Sequence, residues 1–168
     1  MSKINKVKTE PAAGYAVDTI PSTSGDEVIH RALRILKQRL REFGVSLTSP
    51  DATRNYLTLS IADREAEVFG CLFLNNQHQL IEDEHLFFGT VDAASVYPRE
   101  VVKRALQLNA AAVIFYHNHP SGLCEPSQAD KNITDKLKAG LTLVDIRVID
   151  HIIVAGMDTY SFAEHSLV

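Results

Sequence analysis

From residue 26 the chain repeats apolar side chains at three- and four-residue intervals: Val28, Ile29, Ala32, Leu33, Leu36, Leu40 and Phe43. That period predicts an amphipathic helix, with Gly44 as its stop. Ser49-Pro50-Asp51 reads as an N-cap followed by proline at the first helical position, opening a second helix over about 50–61. The period then changes. Residues 68–74 are mostly apolar, Asn75-Asn76-Gln77-His78 is a turn, and 79–88 returns as a second run, so the pair predicts a β-hairpin. Gly89-Thr90 breaks it. Pro98 opens a third helix whose apolar face is Val101, Val102, Ala105, Leu106 and Leu108, ending near Asn109.

Residues 110–116 are apolar and β-rich toward their end, the pattern of a buried strand, and Pro120, Ser121 and Gly122 then turn the chain. Ser127 reads as the N-cap of a further helix. Its buried stripe is Ile133, Leu137 and Leu141, and Gly140 is its expected end. Residues 143–150 alternate as a strand, with Leu143, Asp145 and Arg147 on one face and Val144, Ile146 and Val148 on the other. A further apolar run at 152–154 precedes Gly156. Helices and strands mix throughout, so the expected class is α/β, a central mixed sheet sandwiched by helices. Residues 1–25 show no sustained period and read as a flexible tail, with Tyr15, Val17 and Ile20 available to dock. The expected organisation is therefore a tail at 1–25, an N-terminal helix at 26–48 and a domain at 49–168.

Length and composition narrow the function classes. With 168 residues, 45% of them hydrophobic, one core of ordinary size is affordable by burial alone. The net charge of −4 supplies no global field for nucleic acid or anionic membrane. The helix from residue 26 is locally basic (Arg31, Arg34, Lys37, Arg39, Arg41), but no aromatic residues are interleaved for base stacking, so a solvated face is the simpler reading. No apolar run reaches the length of a membrane span and no secretory signal follows Met1. The two cysteines, Cys71 and Cys124, form no disulfide pattern, and a cytoplasmic protein with free thiols is expected.

The chemistry concentrates after the strand at 110–116. His117 and His119 stand two residues apart, so on a strand both imidazoles point the same way at its C-terminal end. Asp130 falls in the first turn of the helix capped by Ser127 and faces back toward that end. Two imidazoles and one carboxylate converging on a point are the inner shell of a catalytic zinc site, three protein ligands with the fourth position left to water. Ser127-x-x-Asp130 is equally close to a capping box, which explains both residues without a metal. Other zinc patterns fit less well. The His-x-Glu and Pro-Cys-x-x-Cys pair of the deaminases is missing, as is a His-Glu-x-x-His helix. Cys124 lies in a loop beside a complete ligand set and reads as a bystander.

His117-x-His119-Pro120 followed by Ser127-x-x-Asp130 resembles the motif of the JAMM (MPN, or JAB) metallopeptidases. Leu74-Asn75-Asn76, Leu86-Phe87-Phe88-Gly89-Thr90, Pro98-Arg99-Glu100, the Pro-Ser-Gly turn at 120–122, Pro126-Ser127 and Asp150-His151 make it more similar still to the RadC-like branch. The resemblance spans about residues 27–168. Long RadC proteins carry an N-terminal helix-hairpin-helix region, so this chain is expected to be of the short, often prophage-borne form. What the resemblance implies is a JAMM/MPN fold of cytidine-deaminase-like architecture, with Zn²⁺ on His117, His119 and Asp130. It further implies a general base, Glu67, with Glu65 two residues away as the competing choice, and an oxyanion-stabilising Ser127. The implied activity is metal-activated hydrolysis of an amide in a peptide or protein substrate. A non-catalytic, DNA-repair-associated accessory protein that keeps the fold is the implied alternative.

Overall fold

The computed structural model describes residues 24–42, 50–89 and 96–168. Its two central strands, β1 (Val68–Leu74) and β3 (Ala112–Asn118), are buried along their whole length. A strand with no solvent face needs cover on both sides. The sheet is completed by β2 (Leu80–Phe88), β4 (Arg147–Ala155) and β5 (Asp158–Ser161), in the order β2-β1-β3-β4-β5. Only β3 and β4 run parallel, so the sheet is mixed. On one face, α2 (Pro50–Ile61) buries Tyr56, Leu57 and Ile61 against Leu72, Ile114, Tyr116 and Ile152. On the other, α3 (Pro98–Gln107) and α4 (Gln128–Thr142) bury Val101, Ala105, Ile133 and Leu137 against Phe69, Phe73, Val113 and Phe115. The expected α/β sandwich of a mixed sheet between helices is what forms.

The parallel β3–β4 pair decides where chemistry can occur. Parallel neighbours need a crossover, and here α4 provides it. The crossover sets the start of α4 beside the C-terminal end of β3, the region where α/β sheets leave room for ligands.

The helix α1 (Gly25–Glu42) begins where its period predicts, but its stripe is only half used. Leu33 and Leu36 pack against the core, whereas Val28, Ile29 and Ile35 are exposed. The Lys37 ammonium reaches Glu82 on the edge strand β2 at 3.4 Å. Of the tail expected at 1–25, residues 1–23 lie outside the described residues, as do the Leu40 side chain, Phe43 and Gly44, the Ser49 cap and Thr90, while Gly25 already belongs to α1.

Two expectations fail in the second half. Gly140 does not end its helix: α4 continues to Thr142 because Leu141 is fully buried and carries the stripe one turn further. The strand expected over 143–150 starts only at Arg147. Leu143 is the C-cap and 86% exposed, and Asp145 takes a left-handed φ of 59°. The Val144 and Ile146 amides both donate to the Leu141 carbonyl, closing the helix end rather than a sheet ladder. The apparent alternation was that of a helix-closing turn. β5 was not foreseen at all, being four residues long and mostly polar. No described helix is long and apolar enough to cross a membrane.

The place of Gly140 inside α4 yields a signed expectation. A Cβ there would meet Val102 Cγ2 at 3.6 Å and Pro98 Cβ at 3.9 Å, ordinary contacts. Gly140→Ala should therefore stabilise the protein by ~0.5–1 kcal/mol, since a helix-interior glycine carries excess backbone entropy. A glycine at a left-handed helix stop would give the opposite sign, and the urea midpoint distinguishes the two.

Candidate metal centre

His117 is the sixth residue of β3, and His119 follows the strand directly, its amide donating to the Val154 carbonyl at 2.8 Å. The shared strand direction therefore carries both imidazoles onto the α4 side of the sheet. The chain then turns through Gly122, whose φ of 77° suits glycine, and the Gly122 amide donates to the His119 carbonyl at 3.1 Å. At the start of α4 the Ser127 amide and hydroxyl both donate to Asp130 Oδ2, at 2.7 and 2.6 Å. The Asp130 amide donates back to the Ser127 oxygen at 3.1 Å. This is the capping box that the spacing allowed. It also fixes the carboxylate, at a helix N-terminus that favours its charge.

The three side chains meet. His117 Nε2 lies 2.9 Å from His119 Nε2 and 3.3 Å from Asp130 Oδ1, and His119 Nε2 lies 3.6 Å from Asp130 Oδ2. These separations bracket the ~3.3 Å edge of a tetrahedron built on zinc bonds of ~2.0 Å. His119 donates its Nδ1–H to the Leu123 carbonyl at 2.6 Å, because a carbonyl can only accept. That leaves its Nε2 turned inward, and a backbone carbonyl on the outer nitrogen is the usual support for a metal-bound histidine. His117, His119 and Asp130 together can hold a metal ion. The donor set, two imidazoles and one carboxylate, suits zinc.

Burial lowers the pKa of the fully buried His117 imidazole despite the pull of Asp130. His119 is pushed up, chiefly by its hydrogen bond to Asp130 and against partial burial. Burial acts to raise the Asp130 carboxyl, yet the close imidazoles of His117 and His119 and the hydrogen bonds from Ser127 hold it well below the usual carboxylate range. An anion that resists protonation, facing two imidazoles, makes the point between them favourable for a cation.

Glu67 is half-buried immediately before β1, whereas Glu65 is exposed in the bend between α2 and β1. The β1–β3 register pairs Phe69 with His117 and ends there, two residues short of Glu67 and His119. Glu67, His119, Ser127 and Asp130 line one pocket of about 270 Å³. Glu65 lines a neighbouring one with His119, Pro120 and Gly122. The Ser127 hydroxyl faces the site too, but its single hydrogen is committed to Asp130. Cys124 stands apart, its thiol directed at the Ile153 carbonyl at 3.8 Å.

Three supporting residues went unassigned in the sequence. Asn118, between the two histidines, points to the opposite face. Its Oδ1 accepts from the Val68 amide at 2.7 Å, and its Nδ2 donates to the Arg64 and Ala66 carbonyls at 3.1 and 3.2 Å. These bonds clamp the backbone on both sides of Glu67. Thr134 and the fully buried His151 sit behind His117. Strand alternation was the available signal for Asn118, and the histidine beside Asp150 was the signal for His151.

A family model described as RadC-like JAB domain matches residues 47–167. The UPF0758 protein YfjY of Escherichia coli (strain K12) is 55% identical over 148 residues, which are 88% of this chain and 92% of that protein. The UPF0758 protein YkfG of the same strain is 58% identical over 140 residues, 83% and 89% of the two chains. A UPF0758 protein of Vibrio cholerae serotype O1 (strain ATCC 39315 / El Tor Inaba N16961) is 58% identical over 137 residues. There the match covers 82% of this chain but 61% of the relative, so the chain spans less than two thirds of such longer relatives.

If the cluster is a metal site, purified protein reconstituted with zinc and freed of excess should retain about one ion per chain. His119→Ala removes one of three ligands and should leave little metal bound. Wild-type protein that retains no zinc in elemental analysis would sink the assignment.

Proposed function

The chain belongs to the RadC-like JAB domain family, and from that premise we propose that it is a zinc-dependent metallopeptidase or isopeptidase-like hydrolase acting on a peptide or protein in the cytoplasm. One juxtaposition carries the reading: two imidazole nitrogens and a carboxylate face a common point, and a second, half-buried carboxylate lines the same pocket. A binding module needs the first arrangement at most; hydrolysis needs both.

His117, His119 and Asp130 would hold the ion. Bound there, zinc supplies an acidified water and a Lewis acid for the scissile carbonyl. Glu67, which lines the same pocket, accepts the proton of the attacking water and delivers it to the departing amine. Asn118 clamps the backbone on both sides of Glu67 and so fixes where that residue enters the pocket. Ser127 donates its hydroxyl to the oxyanion as charge develops on the carbonyl oxygen. To do so it must turn away from Asp130, and the capping box makes that tolerable. The Ser127 amide keeps its own 2.7 Å bond to Asp130 Oδ2, so the ligand stays fixed while the hydroxyl moves.

Against a peptide that the wild type cuts from a mixed library, Glu67→Gln should abolish turnover while zinc content stays at the wild-type level, and Glu65→Gln should remain active. Reversed behaviour of the two variants overturns the choice of base. Absence of cleavage with salt-sensitive retention of a DNA fragment would favour the accessory role instead.

Ser127→Ala tests the double use of that side chain. Loss of the cap should cost ~1 kcal/mol in a urea melt. Loss of the oxyanion donor should slow turnover ~100-fold or more with zinc retained. A wild-type rate in this variant reduces Ser127 to a cap.

A further inference from the structure

Behind His117 runs a closed ring of contacts, three of them hydrogen bonds. The Thr134 hydroxyl lies 2.6 Å from the Asp130 carbonyl, one turn back along α4, and 2.7 Å from His151 Nδ1. His151 Nε2 lies 2.8 Å from His117 Nδ1. The ring closes through a contact that is not one of these bonds: His117 Nε2 lies 3.3 Å from Asp130 Oδ1, and 2.9 Å from His119 Nε2. Each proton in this ring can be placed by elimination. A carbonyl only accepts, so the one hydroxyl hydrogen of Thr134 goes to Asp130. The Thr134 oxygen then offers only lone pairs to His151, whose Nδ1 must donate. His151 is fully buried, edge-on to Phe69 and Phe115 and stacked on Phe162 at 4.7 Å, and both its nitrogens face neutral partners. Such a box favours the uncharged ring. A neutral imidazole protonated on Nδ1 presents a bare Nε2, and so His117 must donate to it from its own Nδ1.

We propose that Thr134 and His151 are positioning residues that hold His117 in its Nδ1–H tautomer, with the Nε2 lone pair fixed toward His119 and Asp130. The proposal rests on the metal-centre reading only for its purpose, since the tautomer belongs to the protein itself. The ring also joins the ligands through protein atoms: Asp130 donates no proton to it but anchors Thr134 by its backbone and meets His117 by its carboxylate. With the tautomer of His119 set by Leu123, both imidazoles are left with the same nitrogen facing inward. A proton on the wrong nitrogen of His117 would close one of the three donor positions.

The test reads protons directly. In long-range ¹H–¹⁵N correlation spectra of metal-free wild-type protein, His117 and His151 should each carry the ring proton on Nδ1. Thr134→Val keeps the side-chain shape and removes the hydroxyl; it should populate the Nε2–H form of His117 and weaken zinc binding ~10–100-fold in competition with a chromophoric chelator. Thr134→Ser restores the hydroxyl and should restore both readouts, which a purely space-filling role for Thr134 would not produce. A wild-type His117 protonated on Nε2 overturns the proposal without any variant having to fold. So does a Thr134→Val protein with wild-type spectra and zinc affinity. Wild-type tautomers as stated, with no zinc bound, support the ring and defeat only the metal reading.

Discussion

A carboxylate buried to 2% exposure beside a fully buried imidazole is the constraint around which this fold is arranged. Taking an ionised group out of water costs several kcal/mol unless partners replace its hydration. Asp130 receives those partners from its own helix start, through the amide and hydroxyl of Ser127 and the positive end of the helix dipole. The helix start can stand there only because α4 is the crossover between the parallel strands β3 and β4. Topology, capping and ligand placement are thus one solution to one burial problem.

β3 serves both faces of the sheet at once. Val113, Phe115 and His117 project toward α3 and α4; Ile114, Tyr116 and Asn118 project toward α2. The same alternation that packs two cores therefore alternates two functions at the strand end. His117 and His119 face the cluster, while Asn118 turns to the other side and ties down the link from α2 to β1. Because that link carries Glu67, a residue on the far face governs where the near-face carboxylate lies. A leucine at position 118 would satisfy the core but leave two carbonyls and an amide without these partners.

Much of this could be read from residue order because its determinants are local. The strand at Val68–Leu74, the proline that opens α3 and the Ser127 cap all act within a few residues, and each element begins where they predict. The misreadings share a different cause. Gly140 resembles a stop, but burial of Leu141 draws the helix past it. Residues 143–146 alternate by chance, and the left-handed Asp145 that cancels the strand has no side-chain signature beyond its tolerance for positive φ. β5 is held by pairing with β4, a non-local fact, and α1 leaves Val28 and Ile29 of its stripe exposed.

The same distinction explains why the parts of the candidate site were unequally legible. Two of the candidate ligands come from one strand end and the third from the next helix start, so strand spacing and cap position suffice to bring them together. Glu67 enters the same pocket from just before β1, which the antiparallel β1–β3 pairing brings alongside the histidine strand. Strand alternation does not separate it from Glu65; resemblance to a family and its place beside the apolar Val68-Phe69 suggest the choice, and Glu67 is half-buried where Glu65 is exposed. His151 is more distant again, arriving on β4 across the crossover to meet His117 at 2.8 Å. The order of legibility, ligands first, then the neighbouring carboxylate, then the supporting imidazole, follows the number of long-range pairings each residue needs. Residues that depend on such pairings also depend on the packing of the whole sheet, so the supporting layer is where distant substitutions in the core would first disturb the site.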